Sequence, residues 1–132
     1  MDKELRKIIE NSTFEVVGGV YVYAKVKESP KSGEHFAIIK DRDEITVVTE
    51  KKNLESLDLI GKNEKNYCLI ALNVSVPFYS VGFLAAVSNA IASAGMNILI
   101  LSTYSKDYIL VKYEDKSKAT VALSKLGLSS RK

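Results

Sequence analysis

Cysteine and histidine, which commonly act in catalysis or bind metals, are scarce in this chain of 132 residues. Cys68 is the only cysteine and His35 is the only histidine. A structural zinc site needs about four ligands of these types, so the sequence predicts no metal site. A nucleophilic cysteine or serine needs a base close by, and His35 is the one imidazole available. We therefore interpret Cys68 as a small core residue and His35 as a solvated loop residue, and we predict that the protein is not an enzyme.

Two further groups of residues resemble parts of enzyme motifs but are incomplete. Gly18-Gly19 lacks the later glycines of a dinucleotide-binding loop and the lysine of a phosphate-binding loop. Asp41, Asp43 and Glu44 place three carboxylates in one predicted hairpin turn, where exposure to solvent is the ordinary reason for acidic residues. No cofactor is therefore expected.

The composition is that of a globular protein and argues against several classes of partner. Apolar residues make up 46% of the chain and charged residues 27%, as in folded domains. The net charge of +3 is too small to indicate binding to nucleic acid. The charged N-terminus lacks the apolar core of a signal peptide, and no apolar run approaches the roughly 20 residues of a membrane helix. We expect a cytoplasmic protein with no nucleic-acid or membrane partner.

The second half of the chain has the clearest pattern of strands and helices. Aliphatic and β-branched residues predict strands at 67–76, 96–103 and 108–113. Apolar residues at three- and four-residue spacing, from Phe83 to Ala94, predict a helix between the first two strands. Ser80 is the predicted N-cap of this helix, and Gly95 is the predicted residue just beyond its end.

This half lacks one element of a complete split βαβ sandwich. A last helix is predicted to begin near Asp115 or Ser117 and to end at Gly127. The order is then strand, helix, strand, strand, helix, and one further strand would complete the sandwich. The remaining residues, 128–132, are too few and too polar to predict that strand. It must come from elsewhere in the chain, or one edge of the sheet stays unpaired.

The first half supplies several predicted strands. Apolar residues in the charged opening segment predict a short amphipathic helix, and clean alternation at 20–26 predicts a strand. A hairpin is predicted at 36–40 and 45–49, followed by a short helix at 54–60.

The two halves run in a related order, which indicates a degenerate internal duplication. The predicted units are 1–64 and 65–132. The alternative is a single irregular α+β domain without a repeat.

The second half also resembles an ACT domain, in particular the small proteins with two ACT-like halves. The resemblance covers residues 67–126 and is carried by Val76-Pro77, Ala92-Ser93-Ala94-Gly95, Ser102-Thr103-Tyr104 and Asp107-Tyr108-Ile109-Leu110-Val111. The first half matches weakly, through Gly18-Gly19 and the predicted hairpin. The resemblance implies an α+β fold, a ferredoxin-like ACT sandwich of tandem ACT-like halves, with antiparallel or mixed sheets and helices on one face.

The resemblance also implies a role in binding small ligands, typically amino acids, and in regulating enzymes of amino-acid metabolism. In the similar ACT pairs of cellular arginine sensors, the ligand lies between the loop that opens the first helix and the turn after the second strand. Carried over to this chain, these positions are Phe78, Tyr79, Ser80, Val81, Gly82, Thr103, Tyr104 and Asp107.

The chemistry of these residues suits a zwitterion. The first turn of a helix offers unpaired N–H groups and a partial positive charge to an α-carboxylate, and Gly82 permits a close approach to the backbone. Asp107 could hold an α-ammonium group by a charge-assisted hydrogen bond of about 1.5–3 kcal/mol. Simpler structural roles remain open: Ser80 as a cap, Gly82 for packing and Asp107 as a turn residue.

These observations lead us to expect a homodimeric module that senses an amino acid or a related small ligand by ligand-linked change in conformation or assembly. The alternative is a protein–protein interaction module without a small ligand. A catalytic member of an unrelated ferredoxin-like group is a further alternative.

Overall fold

The computed structural model describes residues 1–76 and 80–131. In chain order the elements are α1 (Lys3–Glu10), β1 (Thr13–Val26), β2 (Ala37–Lys40), β3 (Ile45–Glu50), β4 (Leu59–Lys62), β5 (Tyr67–Asn73), α2 (Phe83–Ser93), β6 (Leu99–Ser102), β7 (Asp107–Lys112), α3 (Lys116–Leu126) and β8 (Ser129–Ser130). Short 3₁₀ helices lie at Lys51–Ser56 and Tyr113–Asp115. None of the helices in the described residues combines the length and the apolar character needed to cross a membrane.

The chain forms two compact units. The first contains Met1–Gly18 together with Cys68–Lys132, and the second contains Gly19–Tyr67. The opening helix and the beginning of β1 therefore pack with the C-terminal part of the chain. The predicted duplication, with halves at 1–64 and 65–132, stays a prediction.

The sheet of the first unit obtains its additional strand from the beginning of β1. Its strand order is β1-β5-β7-β6, with β6 and β7 antiparallel. The side-chain amide of Asn73 in β5 donates to the hydroxyl of Thr13 in β1, at 3.2 Å. The two-residue strand β8 pairs in parallel with Thr13 and Phe14. The strand missing from the sequence pattern of the second half is thus supplied from the N-terminal end of the chain.

All three helices contribute to one core on one face of this sheet. Alternate residues of β5 (Cys68, Ile70, Leu72) and Ile109 and Val111 of β7 form a buried cluster with Ile9 of α1, Phe83, Val87 and Ile91 of α2, and Ala119 and Leu123 of α3. Side chains that alternate along a strand point to the same face. Burying one such aliphatic or aromatic side chain contributes about 1.5–3 kcal/mol. The predicted α+β, ferredoxin-like class with helices on one face is confirmed.

Cys68 lies in this core and is a free thiol, as predicted. Burial raises the pKa of its thiol above the reference value of 9.0, and the nearby positive charge of Lys116 opposes this only in part. The unfolded chain therefore loses this proton first as the pH rises, so the contribution of Cys68 to the free energy of unfolding falls through the alkaline range.

We expect the Cys68 thiol of the native protein to react with a small disulfide reagent about a hundredfold more slowly than the thiol of the urea-unfolded chain. The rate should be measured by absorbance at neutral pH in both states. Equal rates would show that the thiol is accessible in the folded protein.

The second unit is an antiparallel sheet with the order β2-β3-β1-β4. Its central strand is the later part of β1, where Val22 lies opposite Thr49. The predicted strand at 20–26 and the predicted hairpin are confirmed. The short helix predicted at 54–60 is present as a 3₁₀ helix at Lys51–Ser56, and its predicted end is wrong because β4 begins at Leu59.

His35 belongs to this second unit and is not a solvated loop residue. Its Nδ1 lies 2.9 Å from the hydroxyl oxygen of Thr49, a fully buried residue. The side-chain amide of Asn53 also donates to that oxygen, at 2.9 Å. The interpretation from the sequence was wrong because a buried threonine on β3 supplies the imidazole with a partner that local sequence does not reveal.

Candidate ligand-binding site

The first turn of α2 presents backbone amides without a side-chain cap. The N-cap is Gly82, which has a φ of 90°, and no side chain among the described residues caps the helix. The predicted cap by the Ser80 hydroxyl is therefore wrong. Ser80 contributes its carbonyl instead, which accepts from the N–H of Phe83 at 3.1 Å. The first N–H bonded to the N-cap carbonyl is that of Ala86, at 2.9 Å.

This arrangement follows from the left-handed conformation of Gly82. The chain turns at Gly82, so the helix begins two residues later than a Ser80 cap requires. Leu84 and Ala85 are the second and third residues of the helix. Their backbone N–H groups therefore have no hydrogen-bond acceptor within the helix. These two amides lie at the positive end of the helix dipole.

A tight turn between β6 and β7 places Asp107. The N–H of Thr103 donates to the carbonyl of Lys106 at 2.8 Å, and the N–H of Lys106 donates to the Thr103 hydroxyl at 3.3 Å. Ser102 and Asp107 face each other across the two strands. The Ser102 hydroxyl donates to Oδ1 of Asp107 at 2.6 Å. Strand pairing and this hydrogen bond together fix the position of the carboxylate.

The start of α2 and the β6–β7 turn border one partly open cavity of about 370 Å³, wholly within the first unit. Its lining consists of Val74 and residues 80–85 and 102–107. Asp107 is partly buried at this cavity. Among the described residues, no lysine or arginine forms an ion pair with Asp107. The carboxylate is therefore available for a cation in the cavity.

Those residues selected from the sequence that the structure describes all lie at this cavity. Ser80, Val81, Gly82, Thr103, Tyr104 and Asp107 all contribute to its lining. Phe78 and Tyr79 lie outside the described residues. Val81 is 92% exposed and Tyr104 is 86% exposed, so both side chains lie at the rim of the cavity and not in its interior.

Sequence reasoning missed several lining residues, of which Ser102 is the most informative. Its hydroxyl orients Asp107, and a sequence signal for this existed: the two residues flank a four-residue hairpin turn. Val74, Leu84 and Ala85 add apolar lining and backbone amides. Lys106 lies in the turn itself and also contributes to the lining.

A substitution at Gly82 tests the backbone geometry described for the start of α2. A left-handed φ costs a non-glycine residue about 1–2 kcal/mol, so Gly82→Ala should lower the free energy of unfolding by about that amount. Gly18→Ala is the matched control, because no atom lies within 4 Å of its added Cβ and its φ is not in the left-handed range. Chemical denaturation of both variants measures the difference. Equal stability of the two variants would contradict the described start of α2.

The fold places the first unit among α+β domains of the ferredoxin-like type. Residues 64–125 match the family model described as the ACT domain. This segment of the chain is therefore similar to the ACT domain family. No curated protein matches the chain.

Solved structures extend the likeness over nearly the whole chain. A Vibrio cholerae protein of unknown function, described as a possible transport protein, has 25% identity and a TM-score of 0.82 over 95% of this chain and 97% of that chain. A putative C-terminal regulatory domain of aspartate kinase from Porphyromonas gingivalis W83 has 23% identity and a TM-score of 0.58 over 88% and 96%. The regulatory subunit of aspartate kinase from Thermus flavus has 13% identity and a TM-score of 0.64 over 86% and 96%. At these identities the two aspartate kinase structures show a shared fold.

Proposed function

We propose that this protein is a regulatory module that binds a free amino acid in the cavity between the start of α2 and the β6–β7 turn. The observation that carries the proposal is the meeting of two opposite chemistries at one cavity: uncapped helix amides and a positioned carboxylate. The regulatory role is supported by the match to the ACT domain at residues 64–125 and by the fold shared with regulatory parts of aspartate kinases.

In the proposed complex, the α-carboxylate accepts hydrogen bonds from the amides of Leu84 and Ala85. Anions bind favourably at a helix N-terminus because of these free donors and the helix dipole. The α-ammonium group donates to Asp107, whose orientation is fixed by Ser102. The second carboxylate oxygen, Oδ2, remains for this contact, since Ser102 uses Oδ1. The apolar lining of Val74 and Leu84 then faces the ligand side chain.

Such a site acts by linkage and needs no chemical step. A ligand that binds one conformation or assembly better than another shifts the population toward it by its difference in affinity. The arrangement offers hydrogen bonds and charges that hold a ligand, and we propose a binding protein and not an enzyme.

A thermal-shift screen with each of the standard amino acids tests the proposal. An amino acid at a hundredfold its Kd should add about 2.7 kcal/mol to the free energy of unfolding. Two analogues of any active amino acid serve as controls: its N-acetyl derivative, which lacks the ammonium group, and its decarboxylated amine. Both should lose the shift. A shift with either analogue equal to that of the parent would contradict the two-ended site.

We further propose that the protein acts in the cytoplasm as a homodimer. β6 ends the strand order of the first unit, and Ile100 on this strand is 37% exposed; an unpaired edge of this kind favours association. Sedimentation velocity should give the mass of two chains. The mass of one chain at all concentrations would contradict the dimer.

A second function, binding a protein partner without a small ligand, is supported by the second unit. Its outer strands β2 and β4 carry exposed apolar side chains, Ile38, Ile39, Leu59 and Ile60. Exposed apolar residues on edge strands favour contacts with another chain. This function predicts that none of the amino acids in the screen changes the stability of the protein.

A further inference from the structure

Helix α1 contacts the start of α2 at the residue where the candidate site begins. A Cβ built on Gly82 would lie 3.2 Å from Cδ2 of Leu5, which is the one described atom within 4 Å of that position when the two chain neighbours of Gly82 are set aside. Leu5 therefore packs directly against the N-cap glycine. The conformation of Gly82 decides where the amides of Leu84 and Ala85 point, so the Leu5 contact bears on the geometry of the site.

The C-terminal end of α1 is hydrogen-bonded to Ser75, two residues after the end of β5. Ser12 is fully buried, and its hydroxyl donates to the carbonyl of Ile8 at 2.6 Å and accepts from the N–H of Ser75 at 3.0 Å. The hydroxyl of Ser75 also donates to the Ile8 carbonyl, at 3.0 Å. Ser75 and Gly82 thus lie near the two ends of the segment that connects β5 to α2, and α1 contacts both of them.

Helix α1 is also anchored in the hydrophobic core of the first unit. Ile9, between the two contact points in sequence, is 1% exposed and belongs to the core cluster of the first unit. Asp2 caps the helix by accepting from the N–H of Glu4 at 3.0 Å. A second cavity of about 580 Å³ lies along α1, and Val81 lines both this cavity and the one at the start of α2.

We infer that α1 is the positioning element of the ligand site, with Leu5 and Ser12 as its positioning residues. Leu5 holds Gly82 in its left-handed conformation, and Ser12 holds the chain at Ser75, so the amides of α2 are presented to the cavity only while α1 is docked. Ligand binding and the docking of α1 then stabilise each other, as linkage requires. The claim that α1 affects ligand binding rests on the proposed function. The claim that α1 holds the start of α2 in place does not depend on it.

The test compares Leu5→Ala with Leu126→Ala, which removes the same atoms from another partly buried helix position packed on the same core. Amide hydrogen exchange is read at Phe83 and Ala86, whose hydrogen bonds define the start of α2, and at Gly127 and Leu128, which bond to Leu123 after α3. Leu5→Ala should speed exchange at Phe83 and Ala86 about tenfold more than Leu126→Ala does. The order should reverse at Gly127 and Leu128.

Binding is measured in both variants with the same panel of standard amino acids. For any amino acid that stabilises the unaltered protein, Leu5→Ala should raise the Kd about tenfold, Leu126→Ala should leave it unchanged, and Leu5→Met should restore it. Equal exchange at Phe83 and Ala86 in the two alanine variants would overturn the inference. If no amino acid binds the unaltered protein, the proposed function fails, and the exchange comparison still decides the role of α1.

Discussion

Replacing Phe14 by alanine should lower the free energy of unfolding by about 3–5 kcal/mol, as is typical of a buried phenylalanine. Phe14 lies in the first part of β1, is 1% exposed and belongs to the core cluster of the first unit. Its carbonyl also accepts from the N–H of Arg131 at 2.7 Å. Truncation leaves a cavity beneath the strand that completes the sheet, and the surrounding strands can close it only in part.

Phe36→Ala is the control for Phe14→Ala, because it removes the same aromatic ring at another position. Phe36 is only partly buried, and its ring lies 6.4 Å from that of Tyr21, edge to face. Its removal should cost about 1–2 kcal/mol, at the ordinary level of point substitutions. Urea denaturation followed by circular dichroism measures both variants. A loss below about 1 kcal/mol for Phe14→Ala would show that the beginning of β1 is not packed in the core.

Asp107→Asn should weaken amino-acid binding by about 10–150-fold, the equivalent of a charged hydrogen bond of about 1.5–3 kcal/mol. The substitution keeps the size of the side chain and an oxygen that can accept from Ser102, so the turn is preserved. It removes the negative charge that the proposed site offers to the α-ammonium group. The stabilisation seen in the thermal-shift screen should therefore largely disappear.

Asp115→Asn makes the same change of charge at a matched position. Asp115 is also partly buried and precedes α3, and its side chain makes no capping hydrogen bond. This variant should bind amino acids like the unaltered protein in isothermal titration. Equal affinity of the Asp107 and Asp115 variants would move the ammonium contact away from the β6–β7 turn.

The elements of the second half could be predicted because their signals are local. The three- and four-residue spacing in α2, the turn between β6 and β7, and the glycine after each helix depend on neighbours in sequence. The fourth strand of the first unit could not be predicted, because it is supplied by the beginning of β1, where Thr13 lies 60 residues before its partner Asn73 in β5. Pairing over such a distance is decided by which apolar faces fit together, which alternation alone does not specify.

The candidate site could be predicted from the sequence only in part. The turn that holds Asp107 was visible in the chain, and its pairing partner Ser102 could have been read from the hairpin. The N-cap was misassigned because serine is a common cap, whereas here the left-handed Gly82 moves the start of α2 to Phe83. The contact of Leu5 with Gly82 joins residues from two separate helices and has no signature in the sequence.

An amide NMR titration of the protein with each standard amino acid tests the central claim most directly. We predict that one amino acid, or a small related group, shifts the resonances of Leu84, Ala85 and Asp107 together and saturably. The same titration should leave the resonances of β2 and β4 in place. Saturable shifts confined to residues away from the start of α2 and the β6–β7 turn, or no shift with any amino acid, would contradict the proposed site.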